Sequence, residues 1–455
     1  ALLNKFIRYG EPQHAFRIYQ AMVKKCYDPS AFTFVALLKS CAKLKDMTKG
    51  CEIHAHISKL GWLKTNLFVW NSVVDMYAKC GSVSRARELF EKLHVRDVVS
   101  WNALIAGYVQ HEHGEEALNC FNKMKREGVA PDAITLACSL KACGCIKAAK
   151  LGREIHSEVA RRGLLEGDVV LGSTLVDMYI KCGLLENAKE VFINLPVRDV
   201  ITWTALISGY AQHEFGEEAL NCFKEMQNSG FSPNAMTLAS SLKACGSVGA
   251  AEKGKELHLE ILRKGLLKRD LILGTALVDM YAKCGMLRRA QDVFNNLPYR
   301  DIVLWNSLIS GYAQVGEIES VLGSFEEMRV EGRKPDQVTF VSVFNACSHA
   351  GFVDCGQAYF IAMSKDYGIA PIPEHHMCMV DLFGRAGQLE RAVGVVNIAP
   401  CHPNVMLWRT VLGACRKWGD VDLGRKAFEQ AVWLGEKEAA TYICAYNIYA
   451  DASIE

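Results

Sequence analysis

Trp101, Trp203 and Trp305 stand 102 residues apart, in SWNALIAGYVQ (100–110), TWTALISGYAQ (202–212) and LWNSLISGYAQ (304–314). A second series at the same interval reads VVDMYAKCG (73–81), LVDMYIKCG (175–183) and LVDMYAKCG (277–285). A third reads FVALLKSC (34–41), LACSLKAC (136–143), LASSLKAC (238–245) and FVSVFNAC (340–347). A chain that returns to itself this closely builds one small supersecondary unit many times over. Boundaries drawn between the three series divide the cycle into units of 35, 36 and 31 residues.

Each unit reads as two helices. In 98–132 the spacing predicts a first helix over about 100–110, with Leu104, Ile105 and Tyr108 on one face. His111 to Gly114 turns the chain, and a second helix over about 115–127 carries Ala117, Leu118, Phe121 and Met124 as its apolar stripe. Gly128 suits the residue after a helix end, and Pro131 stops continuation. One hairpin cannot bury its stripe, whereas stacked neighbours can, so the expected fold is an all-α solenoid. The three tryptophans, recurring at one register, are expected in its core.

The composition agrees with a packed chain: of 455 residues, 50% are hydrophobic and 22% charged. No apolar run approaches the ~18 residues of a membrane span. A net charge of +2 gives no electrostatic argument for any class of partner. Cys80, Cys182 and Cys284, like Cys41, Cys143, Cys245 and Cys347, recur every 102 residues inside helices. Single cysteines so placed read as buried hydrophobes, which implies reduced thiols and a non-oxidising compartment. No catalytic centre, metal site or cofactor site is expected. His113-Gly-Glu115, His156-Ser-Glu158 and His258-Leu-Glu260 match half of a zinc-deaminase motif, but no Pro-Cys-x-x-Cys follows. His156 and His258 occupy equivalent positions, as scaffold residues would, and His375-His376 beside Cys378 makes a poor metal site.

Four features carry a family likeness. They are the (W)NALI-GY stretch with Glu115-Glu116-Ala117-Leu118, the Gly128 to Asp132 end, and the Val-Asp-Met-Tyr-x-Lys-Cys-Gly series. The fourth is Lys-Ala-Cys followed by Gly152 to His156 or Gly254 to His258. With the alternating lengths they resemble the pentatricopeptide repeat family, in its plant PLS branch, over essentially the whole chain. Tetratricopeptide repeats, the rival helical hairpin, keep a period of about 34 residues. The resemblance implies a right-handed α-solenoid superhelix of helix-turn-helix repeats. A partial P repeat fills 1–30, then L 31–66, S 67–97, P 98–132, L 133–168, S 169–199, P 200–234, L 235–270, S 271–301 and P 302–336. Segments 337–372 and 373–404 resemble the L2 and S2 types, 405–438 the E1 extension and 439–455 the start of E2. Ala1 falls inside a repeat, so any transit peptide is expected outside this chain.

Members of this family read one base per repeat with two or three side chains. Carried over by position, the base readers are the fifth and last residues of the S and P repeats. These are Asn71 with Asp97, Asn102 with Asp132, Ser173 with Asp199, Thr204 with Asn234, Thr275 with Asp301, and Asn306 with Asp336. The chemistry fits: Asn offers donors and an acceptor to a pyrimidine edge, and Ser or Thr leaves room for a purine. Asp can only accept, while Asn can also donate. The family code then implies UUnGAnGU, with Val35, Ala137 and Ala239 of the L repeats silent. Asp and Asn at a repeat's end are equally the preferred helix N-caps, and the two roles are compatible. The second residues, Phe68, Val99, Val170, Ile201, Ile272 and Val303, suit either clamping of bases or packing between repeats.

The resemblance implies an adapter that binds single-stranded organellar RNA and selects a cytidine for C-to-U editing in a mitochondrion or chloroplast. Asn306 with Asp336 would stand at −6 from that cytidine, Asn71 at −13, and Met377 with Asn404 at −4. A DYW-type cytidine deaminase, in the same protein or in trans, and accessory proteins of the multiple organellar editing factor type are the implied partners, with no membrane. Two other functions share the fold: stabilisation or processing of organellar RNA without editing, and peptide binding by a tetratricopeptide-like scaffold.

Overall fold

Among the residues described by the computed structural model (12–24, 27, 29–267, 270–399, 405–435 and 437–452), every regular element is a helix. Most helices have 13 or 14 residues and come in pairs, as the hairpin reading requires. In repeat 98–132 they are Val98–Gln110 and Gly114–Arg126, each within two residues of expectation. Leu104, Ile105, Tyr108, Ala117, Leu118, Phe121 and Met124 are all buried. Gly128 takes φ 78°, a left-handed turn that lets the Val129 N–H return to the Met124 carbonyl at 3.1 Å and close the second helix.

The chain forms two compact units, Ala1–His213 with Cys222–Ser232, and Glu214–Asn221 with Pro233–Glu455. Within each, the first helix of a repeat packs on the first helix of the next. Leu67–Lys79 lies between Ala31–Leu44 and Val98–Gln110, and Leu271–Lys283 between Ala235–Val248 and Ile302–Val315. The first helices therefore make a layer, which the second helices back. Trp101, Trp203 and Trp305 are buried in it, each with a phenylalanine ring of the preceding repeat edge-on at 4.5–4.6 Å.

Two of the sequence motifs turn out to be the halves of one interface. A Cβ on Gly50, Gly152 or Gly254 would come within 2.4–2.6 Å of the Sδ of Met76, Met178 or Met280, so glycine here makes room for the flexible end of the methionine of the next repeat. One turn further, His54, His156 and His258 meet the hydroxyls of Tyr77, Tyr179 and Tyr281 at 2.9, 2.8 and 3.0 Å. The histidines are scaffold, as their spacing implied. The thiols of Cys80, Cys182 and Cys284 lie 3.6–3.9 Å from the carbonyls of Cys41, Cys143 and Cys245. The sixteen cysteines among the described residues are all free. Burial pushes Cys41, Cys143 and Cys245 up to about 12, which keeps them as inert thiols at neutral pH.

Three outcomes follow for stability. A Cβ on Gly107 would lie 2.4 Å from Ala78 Cβ and 3.3 Å from its Cα, atoms that cannot swing aside. Gly107→Ala is expected to cost roughly 1–3 kcal/mol in denaturant melts. Gly323→Ala, inside a helix with nothing within 4 Å, is expected to gain about 0.5–1 kcal/mol. Burial also lowers the pKa of His54, His156 and His258 below the ordinary 6.5. The unfolded chain then takes up protons first, so this share of stability is complete above about pH 6.5 and is lost as pH falls through the folded values. Urea melts across that range should show the decline, and His156→Gln should flatten part of it.

Candidate functional site

The last residues of the 31- and 35-residue repeats between 67 and 336 cap the next first helix. Asp97, Asp132, Asp199, Asn234, Asp301 and Asp336 accept through Oδ1 from the backbone N–H of Ser100, Thr135, Thr202, Thr237, Leu304 and Thr339 at 2.8–2.9 Å. Each bond satisfies an N–H that the helix leaves unpaired. It also fixes the chemistry of what is left. An N-cap must offer an oxygen, so the second atom of the side chain is a carboxylate oxygen in the five aspartates and an amide nitrogen in Asn234.

Three fifth-position residues join these caps directly. Asn71, Asn102 and Asn306 donate from Nδ2 to Oδ1 of Asp97, Asp132 and Asp336, each at 3.0 Å. The Thr135 and Thr339 hydroxyls lie 2.6 Å from Oδ1 of Asn102 and Asn306, which orients those amides. The Ser100 hydroxyl instead donates to the Asp97 carbonyl at 2.7 Å, and Asn71 Oδ1 is buried without a partner. Burial acts to raise the Asp132 carboxyl but is outweighed by bonds from Thr135 N–H, the Asn102 amide and the Thr135 hydroxyl, which hold it below its ordinary value. Ser173, Thr204 and Thr275 donate their hydroxyl protons to the carbonyls of Val170, Val200 and Leu271 on their own helices. The Ser173 and Thr275 oxygens keep acceptor capacity.

The fifth residues are less open than six side chains lining a wall would be. Asn71, Asn102, Thr204 and Asn306 are buried, while Ser173 and Thr275 are half-buried. The cause is the tight first-helix layer together with the committed hydrogen bonds. The second residues behave in the opposite way. Phe68, Val99, Val170, Ile201, Ile272 and Val303 are 51–64% exposed, so packing between repeats does not account for them. The same register in the 36-residue repeats holds Phe32, Ile134, Met236 and Val338, also exposed and apolar, which the sequence reading passed over. Aligning the second residues of all three repeat types would have found them.

The remaining candidates are scaffold or out of view. His375 accepts the Ile372 N–H at Nδ1 and meets the Gln337 carbonyl at Nε2, and His376 Nδ1 meets the Ile372 carbonyl. No group of metal-ligating side chains occurs among the described residues. Met377 is half-buried, and Asn404 lies outside the described residues. The cap can be tested on its own. Asp132→Ala is expected to cost about 0.5–2 kcal/mol in denaturant melts, and Asp132→Asn, which keeps an acceptor, much less.

Comparisons with known proteins agree with this geometry. The PPR repeat family model matches residues 96–145, 198–247 and 300–349, and the PPR repeat model matches 68–98, 173–200 and 275–302. A mitochondrial pentatricopeptide repeat-containing protein of Arabidopsis thaliana is 36% identical over 437 residues, covering 96% of this chain and 78% of the relative. The chloroplastic protein CRR2 of the same plant is 38% identical over 461 residues, covering 100% and 69%. A third Arabidopsis relative is 39% identical, and the chain spans 54% of its length. The crystal structure of the pentatricopeptide repeat protein PPR10 with an 18-nucleotide psaJ RNA element aligns at a TM-score of 0.68 and 19% identity, covering 99% of this chain and 70% of that one. A crystal structure of PPR10 from maize aligns at a TM-score of 0.58 and 18% identity, covering 99% of this chain and 71% of that one. By repeat, by sequence and by fold, the chain belongs to the pentatricopeptide repeat family.

Proposed function

We propose that the chain is a sequence-specific single-stranded RNA-binding adapter that selects a cytidine for C-to-U editing in organelle transcripts. The observation that carries the reading is the polarity of the last residue, set by its cap. Uracil and guanine present a ring N–H on their pairing edge, and adenine presents a bare ring nitrogen. An aspartate whose second oxygen can only accept suits the first two, and an asparagine whose other atom is an N–H donor suits the third. Asp97, Asp132, Asp199, Asp301 and Asp336 then take U or G, and Asn234 takes A. The fifth residue chooses ring size: Asn71, Asn102 and Asn306 extend far enough for a pyrimidine, and Ser173, Thr204 and Thr275 leave space for a purine. The implied target is UUnGAnGU. The exposed second residues supply apolar surface on which bases can stack, which dries and strengthens the edge contacts.

PPR10 has been crystallised with RNA, and relatives are named mitochondrial or chloroplastic, which supports an RNA ligand and an organellar site. The editing role rests on the likeness of 337–438 to the L2, S2 and E1 segments, with the deaminase in the same protein or in trans. Thr204→Asn with Asn234→Asp should move one position of the target from A to U, by roughly 1–3 kcal/mol. Selection from randomised RNA reads this directly, and an unchanged preference would remove the code. A chain ending before 373 should bind the same RNA yet fail to support editing; if editing persists, the adapter role goes and RNA stabilisation takes its place.

A further inference from the structure

The 36-residue repeats have no polar fifth residue, yet each of the first three carries an exposed lysine one helical turn later. Lys39, Lys141 and Lys243 follow Val35, Ala137 and Ala239 by four residues and lie on the same side of the first helix. The charge inventory of the layer gives these residues their meaning. The first helices between 31 and 350 contain seven lysines and no arginine. Lys79, Lys181 and Lys283 are bound to Asp75, Asp177 and Asp279 at 2.8–2.9 Å. Lys43 is engaged within the chain. The three that remain have no ion pair among the described residues. The fourth repeat of this kind ends the series: its residue is Asn345, whose Oδ1 accepts from the Cys378 thiol at 3.0 Å.

We propose that Lys39, Lys141 and Lys243 each hold a phosphate of the bound RNA, so that the 36-residue repeats grip the backbone while the others read bases. The inference rests on the proposed RNA reading and deepens it. A strand laid over the first-helix layer brings one negative charge per nucleotide. These lysines are the cations of that layer left unneutralised by the chain. Their flexible stems start about one turn from the silent fifth position, where no edge contact competes for the nucleotide.

The test is a salt titration with the 455-residue chain and a single-stranded RNA oligonucleotide carrying UUAGAAGU, alongside a scrambled one. Neutralising a phosphate contact on single strands changes the slope of log affinity against log salt by about 0.7. Three contacts predict that wild-type affinity falls roughly 20-fold between about 50 and 200 mM salt because of these lysines alone. The triple variant Lys39→Gln, Lys141→Gln, Lys243→Gln should lose that dependence while keeping its preference for the target over the scrambled RNA. The control removes the same charge from the second helices, with Lys150→Gln, Lys189→Gln and Lys224→Gln, all exposed. It should behave as wild type. A first-helix variant with the wild-type slope, or two variants flattened equally, overturns the assignment. Loss of target preference in the wild type overturns the base code alone, and absence of any binding by the wild type overturns both.

Discussion

The cap between repeats is the interaction on which the rest of the molecule depends. Through Asp97, Asp132, Asp199, Asn234, Asp301 and Asp336 it starts six first helices, and so sets where those helices begin. It does so with a side chain that has two polar atoms and needs only one. Asp132 shows the economy of the arrangement: Oδ1 accepts from Thr135, and the same carboxylate takes both Asn102 contacts, at 3.0 and 3.2 Å. Capping and recognition are therefore not alternatives. Under the proposed reading the cap orients the atom that meets the base, and a change of that atom from oxygen to nitrogen would alter specificity with little change in helix stability.

Close approach supplies the second constraint. Gly107, Gly209 and Gly311 face Ala78, Ile180 and Ala282 at distances no Cβ would tolerate. Gly152 and Gly254 admit Met178 and Met280 in the same way. Repeats of this kind are stabilised by nearest-neighbour contacts, so an error at one junction is felt locally rather than averaged over a single core. That explains why the methionine, tyrosine and cysteine of one repeat and the glycine, histidine and cysteine of the one before recur as sets.

Much of this was legible from the residues. The hairpins followed from apolar periodicity, and the buried tryptophans and scaffold histidines followed from spacing, because all of these depend on local pattern and translational repetition. The capping role of Asp97 or Asn234 was legible too, since an N-cap is a local event. Burial of Asn71, Asn102 and Asn306 was not. It depends on how tightly two neighbouring first helices approach, which glycine and alanine facing each other across the junction decide, as Gly107 and Ala78 do. The exposure of Val170 and Ile201 was half legible: the residues suited base clamping and packing between repeats equally, and only the placement of the neighbouring backbone decides between them. The difference between Lys141 and Lys181 is legible in the residues themselves, since only the second has an aspartate four residues before it.

That difference bears on how a nearly neutral chain can be selective. Backbone charge contacts raise affinity for every sequence alike, so a protein rich in them binds its target tightly and its competitors nearly as well. Here the 31-residue repeats cancel their own first-helix lysines with aspartates, and the 35-residue repeats carry no first-helix cation at all. Under the proposed reading, sequence-independent attraction is confined to one site in each 102-residue cycle. Most of the binding free energy must then come from edges and stacking, where one wrong base costs roughly 1–3 kcal/mol. Low net charge becomes part of the specificity mechanism: an array with few phosphate contacts can afford to wait for the sequence that satisfies its caps.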